Sequence, residues 1–325
     1  MIETRGTWTS LIGGVGVKIA EVFDQGQEEY IPGIGNLLMV DGTVTGAQLT
    51  VTGKTGVGEL ESFDDGDDVP LGRRYKTYDT TYVWNNYGKG IQVTKNTIED
   101  RDFQQELDEM KDLSIASNYS QDKSGIQIFN GGFATTATVN RFKLSLYGDA
   151  VPTFSTVHPS VVPGASTQSN ASSTGIVFSH DNLETAYVAM LQQQTDDGLA
   201  LSLMGKPTVV LPSNLIKEGE EITSSVLDPS TANNAINVYK NGMKVDMATS
   251  IHLDSVNGGS NTAWYLIVPG RTRFVHFVRQ SPRLEKDVDI LNKVATFTVD
   301  ARWADGVKDW RRSWGSKGDN AAYSS

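Results

Sequence analysis

The sequence of 325 residues contains no cysteine, which excludes disulfide bonds, zinc–thiolate sites and thiol catalysis. It also lacks an excess of positive charge, because 28 Lys and Arg stand against 39 Asp and Glu, for a formal net charge of −11. Since phosphate binding needs a local excess of Lys and Arg, we do not expect the protein as a whole to bind nucleic acid electrostatically. The length suffices for one large domain or two moderate ones.

Long hydrophobic runs are also missing. No segment approaches the roughly 20 apolar residues of a membrane-spanning helix. The first apolar stretch, within residues 1–26, is short, broken by glycines and interrupted by Lys18, and no basic segment precedes it. We therefore expect no signal peptide and no membrane contact, and a protein made in a cytoplasm.

The motifs that would indicate nucleotide, metal or catalytic chemistry are incomplete. Gly53-Lys54-Thr55 matches the end of a phosphate-binding loop, but Gln48 stands where that loop begins with glycine. The acidic run of residues 64–68 lacks the ligand spacing and closing glutamate of a calcium loop, so a solvated turn is preferred. The four histidines are isolated, and His276 in an apolar strand indicates a core or interface residue. We expect no catalytic residue, cofactor or metal site.

The first half of the chain predicts two appendages followed by a long helix. Residues 1–45 are rich in glycine with scattered apolar groups, which predicts an extended arm that is disordered or bound to something else. In residues 46–95, apolar and polar side chains alternate on both sides of an acidic turn, and this pattern predicts a long β-hairpin. Apolar residues recur at helical spacing from Phe103 to Tyr119, and Gly131-Gly132 offers a stop. This pattern predicts a helix of about 25 residues lying across a sheet.

The second half predicts shorter elements. Ser179 is a typical N-cap for a second helix. The segments "TAWYLIVPG" and "RTRFVHFVRQ" predict a hairpin turned at Pro269-Gly270. Alternation from Ala295 to Trp303 predicts a strand with one apolar face. Together the elements favour the α+β class with mostly antiparallel strands.

Tryptophans and arginines are interleaved near the end of the sequence, where Trp303, Trp310 and Trp314 accompany Arg311 and Arg312. Aromatic and cationic side chains together can stack single-stranded nucleic acid, but no extended basic groove accompanies them. Arginines also stack on indoles and reach carboxylates, so a structural clasp is preferred. The four-residue spacing of Trp310 and Trp314 suits a helical turn or a bent cap.

With this order of elements, the chain resembles the major capsid protein of tailed bacteriophages, which has the Hong Kong type capsid fold shared in outline with encapsulin shells. "GKGIQVTKNTIEDRDFQQELDEM" resembles the strand that leaves the extended loop and enters the spine helix. "STVHPS" and "PTVVLPSNL" resemble the passage into the axial domain, and "VDARWADGVKDWRRSWGSKG" resembles the return. The resemblance implies an N-terminal arm (1–45), an extended loop (46–95), a peripheral domain with the spine helix (96–200), an axial domain (201–287), and a return to the peripheral domain with a C-terminal tail (288–325).

The resemblance implies a subunit that forms pentamers and hexamers of an icosahedral head around double-stranded DNA, without sequence-specific binding. The implied partners are copies of itself, a portal, scaffolding protein and decoration proteins. The implied location is the virion, after synthesis in the cytoplasm of a bacterial host. Two alternatives remain open: an encapsulin-like compartment, and a soluble acidic β-rich enzyme or carbohydrate-binding protein.

Appendages that cannot bury themselves are expected to bury against neighbouring copies, where interfaces reach thousands of square ångströms. The candidate interface residues come from the hairpin and from the end of the chain. They are Lys54, Glu59, Glu61, Asp64, Asp65, Asp67, Asp68, Arg73, Arg74, Trp303, Trp310, Arg311, Arg312 and Trp314.

Overall fold

The computed structural model describes residues 5–30, 33, 37–41, 46–99, 104–136, 138–201, 205–228, 235–289 and 291–321. The helices are α1 (Arg5–Glu29), α2 (Lys95–Glu99), α3 (Gln104–Asn130), α4 (His180–Leu191), α5 (Ile216–Ser224) and α6 (Val238–Asn241). The strands are β1 (Met39–Asp41), β2 (Gln48–Val51), β3 (Thr80–Val83), β4 (Asn85–Thr94), β5 (Thr138–Val139), β6 (Phe142–Ser145), β7 (Thr208–Leu211), β8 (Asp246–Thr249), β9 (Trp264–Ile267), β10 (Arg273–Asp289), β11 (Val294–Asp309) and β12 (Ser313–Ser316). Short 3₁₀ turns lie at Ser213–Leu215, Ile251–Leu253 and Ser255–Asn257.

The strands form two main sheets. The six-stranded sheet has the order β1-β10-β11-β6-β5, with β4 also paired to β11. The four-stranded sheet has the order β12-β9-β7-β8, and β2 and β3 form a separate pair. Most of these pairings are antiparallel, and helices pack on both main sheets. The predicted α+β class is therefore confirmed.

The predicted hairpin across Pro269-Gly270 is wrong. The turn itself forms, since Gly270 has φ 74° and the Arg271 N–H donates to the Val268 carbonyl at 2.9 Å. However, β9 pairs with β7 and β12, whereas β10 pairs with β1 and β11. β9 is buried along its whole length inside its own sheet, and β10 finds a long antiparallel partner in β11. The turn therefore links the two sheets.

The long helix α3 lies across the six-stranded sheet, as the apolar spacing predicts. Met110 and Leu113 of α3 pack with Phe297 and Val299 of β11. The helix ends at Asn130, directly before the predicted glycine stop. Phe103, the first residue of the predicted apolar face, lies outside the described residues.

The C-terminal end of α3 is buried between the two sheets. Phe129 packs in one cluster with Tyr265 of β9 and Phe274 of β10. The Tyr265 hydroxyl donates to the Phe129 carbonyl at 3.0 Å. Side chains from both sheets thus share one core around this helix end, which fixes the sheets relative to each other.

Residues 5–29 form a helix, whereas the glycine-rich composition predicts an extended arm. The segment folds back onto α3 of its own subunit, where the Ser114 hydroxyl donates to the Phe23 carbonyl at 2.6 Å and Asn118 Nδ2 donates to the Tyr30 carbonyl at 2.7 Å. At Gly26 the helices approach so closely that a Cβ would lie 2.7 Å from Ser114 Cβ. Glycines lower intrinsic helix propensity, so these tertiary contacts override the local preference.

The second half of the chain contributes to both main sheets. α4 buries Leu183 and Met190 in the core of the four-stranded sheet, to which β12 also belongs. β10 belongs to the six-stranded sheet. The predicted N-cap of α4 is confirmed, because the Ser179 hydroxyl accepts from the Asn182 N–H at 3.2 Å.

Candidate assembly surface

The predicted long hairpin is a short stem that carries an irregular loop. β2 and β3 pair over four residues each, and only isolated contacts continue the pairing, such as the Thr55 N–H that donates to the Tyr75 carbonyl at 2.9 Å. Within the predicted range of 46–95, only residues 52–79 lie between β2 and β3, and from here on the name extended loop means these residues. The residues that follow β3 do not return to this stem, because β4 pairs with β11 in the six-stranded sheet. The loop therefore has little regular structure of its own.

The extended loop carries both acidic and large apolar side chains, and these side chains are exposed to solvent. Leu60 is 99% exposed and Leu71 is 92% exposed, and more than half of Phe63 and Val69 is exposed. All predicted interface residues of this region are exposed: Lys54, Glu59, Glu61, Asp64, Asp65, Asp67, Asp68, Arg73 and Arg74. Large apolar side chains that are exposed on a charged segment are typical of a surface that contacts another molecule.

The base of the extended loop is fixed to the subunit. Lys76 Nζ donates to Asp79 Oδ2 at 2.6 Å, and the Thr52 hydroxyl donates to the same carboxylate. The hydrogen bonds from Lys76 and Thr52 hold the pKa of Asp79 below its usual value. Tyr78 packs edge to face on Tyr147, with ring centroids 5.8 Å apart. The loop thus leaves the subunit from a defined position.

The three C-terminal tryptophans lie in the interior. We call residues 303–316 the tryptophan turn. Trp303 stacks on Tyr87 with ring centroids 4.0 Å apart, and Trp310 stacks on His158 at the same separation. Trp314 lies in the core of the four-stranded sheet. None of the three tryptophans is more than 2% exposed.

The tryptophan turn joins the two sheets, because β11 belongs to one and β12 to the other. Instead of a helical turn, Arg312 adopts φ 59° and leads directly into β12. The guanidinium of Arg311 contacts Asp196 at 2.8 Å and Asp309 at 3.1 Å, and lies 4.8 Å from the Trp310 ring centroid. Four of the predicted interface residues are therefore buried inside the subunit: Trp303, Trp310, Arg311 and Trp314. Their clasp is intramolecular, and Arg312 is half-buried beside it.

A buried polar network supports Trp310. His158 Nδ1 lies 2.7 Å from Asp149 Oδ2, and Nε2 lies 3.1 Å from Asn170 Oδ1. The Asn170 amide is oriented by the Ser155 N–H, which donates to Oδ1 at 2.8 Å, and by the Thr153 carbonyl, which accepts from Nδ2 at 2.8 Å. Since Oδ1 can only accept, Nε2 of His158 carries a hydrogen. The sequence does not reveal this network because its members lie on separate segments.

A second buried network joins Ser124, Asp305 and His276. The Ser124 hydroxyl donates to Asp305 Oδ2, and His276 Nδ1 lies 2.6 Å from Asp305 Oδ1. The Trp303 indole N–H donates to the Ser124 hydroxyl at 3.1 Å. The carboxylate stands between serine and histidine, whereas a nucleophile needs the histidine beside the serine. This network is therefore structural, and the prediction of His276 as a core residue is confirmed by its 1% exposure.

No group of His, Asp and Glu side chains in the described ranges has the arrangement of a metal site. No helix in the part of the chain that the structure describes combines the length and apolar character needed to cross a membrane.

The fold is that of tailed-phage capsid subunits. The capsid of Myoviridae phage XM1 matches with a TM-score of 0.54 and 11% identity, over 89% of this chain and 92% of that chain. The cyanophage P-SCSP1u capsid matches with a TM-score of 0.53 and 9% identity, over 87% of this chain and 86% of that one. The capsid of the native GTA particle matches with a TM-score of 0.52 and 12% identity, over 88% and 90%. The Hong Kong type capsid fold is thus confirmed.

The chain belongs to the phage capsid protein family, whose sequence model matches residues 77–314. No curated protein sequence matches it. The chain is therefore a phage capsid protein, a structural component of a capsid shell. This membership decides against the alternative of a soluble acidic enzyme or carbohydrate-binding protein.

Proposed function

We propose that this chain forms pentamers and hexamers that close into an icosahedral phage head enclosing double-stranded DNA. The observation that carries the proposal is the extended loop, on which Leu60 and Leu71 are almost fully exposed. A two-stranded stem is marginal alone in water, and such a loop gains stability by lying on another protein surface. In a shell, that surface belongs to a neighbouring copy.

The charged residues of the extended loop have a separate role in this proposal. An interface usually has an apolar centre and a polar rim. The apolar residues of the loop supply a centre, and the charged residues from Lys54 to Arg74 supply the rim that sets orientation.

The remaining partners are proposed from the family. The net charge of −11 suits a container wall that DNA can enter without sticking, so DNA is enclosed without sequence-specific binding. A portal, scaffolding protein and decoration proteins complete the particle. We also propose that the subunit is made in the cytoplasm of the bacterial host.

The test is assembly of the purified protein, followed by size-exclusion chromatography and negative-stain microscopy. We expect rings or closed shells, and a stable 35 kDa monomer at high concentration would overturn the proposal. Nucleic acid inside the particles supports the phage head, and an enzyme cargo would favour an encapsulin-like compartment.

A second experiment tests the loop. Removing residues 55–70 should leave the melting temperature of the subunit nearly unchanged and stop or distort shell formation. Leu291→Ser is a matched control, because Leu291 is 93% exposed near the far end of β10 and not in the loop. Normal shells from the trimmed chain would contradict the role of the loop.

A further inference from the structure

One strand of the six-stranded sheet has an unpaired outer edge. β4 pairs with β11 along residues 85–94, and no other strand in the described ranges pairs with β4. Near its start, β4 is held to the neighbouring β6, where Asn85 Nδ2 donates to the Lys143 carbonyl at 3.2 Å. From Gly88 to Gly90 the strand is exposed. The N–H and C=O groups along such an edge can pair with a strand of another chain.

The opposite edge of the same part of the sheet is protected against strand addition. Beyond its pairing with β1, β10 contains Pro282, and its register with β11 shifts twice between Val278 and Arg283. Charged side chains of both signs surround this proline. Proline, bulges and edge charges are the devices with which proteins block an edge. β4 contains no proline and a single charged residue, Lys89, so its outer edge is the one that can accept a strand.

A cavity of about 710 Å³ lies beside this edge, between α3, β4 and β11. Val299 and Trp303 form part of its apolar wall. Two cationic side chains line the cavity, Lys89 and Arg141, and none of the described residues that line it is a carboxylate. Neither cation forms an ion pair with another described residue, although the Arg141 guanidinium lies 5.4 Å from the Phe142 ring centroid. The cavity therefore fits a partner that has both acidic and apolar groups.

One segment of the extended loop has these properties. Residues 58–63, with the sequence GELESF, contain no proline, and none of them forms a hydrogen bond with another described residue. In an extended conformation Glu59, Glu61 and Phe63 lie on one face and Leu60 lies on the other. Both glutamates are exposed, Phe63 is 54% exposed and Leu60 is 99% exposed. The first face thus combines two carboxylates with an aromatic ring.

We propose that residues 58–63 of one copy add as a strand to the outer edge of β4 in a second copy. This inference rests on the proposed function and names the surface that receives the loop. Main-chain hydrogen bonds between the two strands supply affinity, and the alternate side chains supply specificity. A protein strand is favoured over a phosphate-bearing ligand because the cavity beside the edge has an apolar wall as well as cations.

The side chains of the two strands match in charge and in size. Val93 of β4 packs in the core beneath α3, and Lys89 lies on the same face because the two residues are four apart. When the glutamates of the added strand face this side, they meet Lys89 and Arg141 in the cavity. Leu60 then lies on the opposite face, over the backbone that the glycines on either side of Lys89 leave without side chains.

Charge exchange tests the pairing. K89E lowers the formal net charge by two and E61K raises it by two, so the combined variant keeps the value of −11. Like charges that face each other suppress association, so each single variant should lower shell yield at least about tenfold. The combined variant should recover most of the wild-type yield. K286E is the matched control, because Lys286 is an exposed lysine on β10, at the protected edge.

The outcomes separate the possible errors. Failure of the combined variant to recover shells, with all variants folded by urea unfolding, would overturn the pairing. A normal yield of K89E shells that retain less DNA would assign Lys89 to DNA and also overturn it. An equal loss of shells from K286E would mean that negative charge on this sheet, and not a lost pairing, prevents assembly. Absence of shells from the wild type would overturn the proposed function itself.

Chemical cross-linking provides a measurement that does not depend on shell yield. The chain has no cysteine, so introduced thiols are unique. Chains carrying E61C are mixed before assembly with chains carrying K89C, and shells are treated with a short bismaleimide. We expect a cross-linked dimer on a denaturing gel, and much less of it when K286C replaces K89C. Equal cross-linking by both partners would contradict the proposed pairing.

Discussion

The extended loop and the tryptophan turn contain similar kinds of residues, but these residues are exposed in the loop and buried in the turn. Both combine large apolar side chains with charged groups. In the turn, the tryptophans are buried and Arg311 is matched by two carboxylates. In the loop, Leu60, Leu71 and the six carboxylates of residues 59–68 are exposed. Composition therefore does not distinguish a segment that stabilises the subunit from one that we propose to contact other copies.

The difference arises from strand pairing on either side of each segment. The tryptophan turn connects β11 and β12, each of which is paired within a main sheet. The extended loop leaves from a stem in which β2 and β3 pair only with each other. A segment held at both ends by a core can bury its side chains, whereas a segment on a short stem depends on another surface. The turn should therefore govern folding, and the loop should govern assembly.

Loss of a tryptophan from the turn should give the largest fall in stability. Trp310→Ala removes a side chain that stacks on His158 and carries the Arg311 guanidinium, so we expect a loss of about 3–5 kcal/mol. Urea unfolding of the unassembled subunit measures it. Trp310→Phe keeps an aromatic ring and should cost clearly less. An unchanged unfolding midpoint for Trp310→Ala would show that the turn does not join the sheets as described.

A smaller loss should follow from breaking the buried network below Trp303. Ser124→Ala leaves the Trp303 indole N–H and one oxygen of Asp305 without their partner, which should cost about 1–3 kcal/mol. Ser120→Ala on the same helix is the control, because that hydroxyl only donates to the Ala116 carbonyl within α3. Equal effects of the two substitutions in urea unfolding would argue against a structural role for the network.

Elements whose structure follows from periodicity alone can be predicted from the sequence. The length and end of α3, the N-cap at Ser179 and the alternating face of β11 are all recovered from local spacing. The family resemblance also gave the fold. Local patterns succeed here because each of these elements buries one face against a sheet.

The failures all involve partners that are distant in the sequence. The β9 and β10 segments look like a hairpin, but their strand partners lie elsewhere in the chain. α1 is stabilised by α3, which begins 75 residues after the end of α1. The placement of Trp310 depends on His158 and Asn170, which no spacing connects to it. Tertiary contacts of this kind leave no periodic signal.

Acid should destabilise the subunit through His252. This side chain is 1% exposed, and burial lowers its pKa while Asp122 and Lys123 act in opposite directions. In the unfolded chain the pKa returns to about 6.5, so below that pH the unfolded state binds a proton that the folded state does not accept. Stability should fall as the pH drops below about 6.5, with a slope of at most about 1.4 kcal/mol per pH unit, until the folded-state pKa is reached.

The measurement is the urea midpoint between about pH 7.5 and 5.5, a window set by the unfolded histidine pKa. His252→Phe removes this proton and should flatten the dependence, while all other titratable groups are the same in the two proteins. The same slope in wild type and variant would exclude His252 as the source.

The smallest change in stability should accompany a marked change in assembly. Leu60→Ser and Leu71→Ser change apolar groups that are almost fully exposed, so the free energy of unfolding should change by less than about 0.5 kcal/mol. If the loop lies on a neighbouring copy, the same substitutions leave a cavity in that interface and should lower shell yield. Leu291→Ser, equally exposed but outside the loop, should affect neither quantity. A fall in subunit stability for Leu71→Ser would mean that the loop folds onto its own subunit in solution, and the contrast between loop and turn would then disappear.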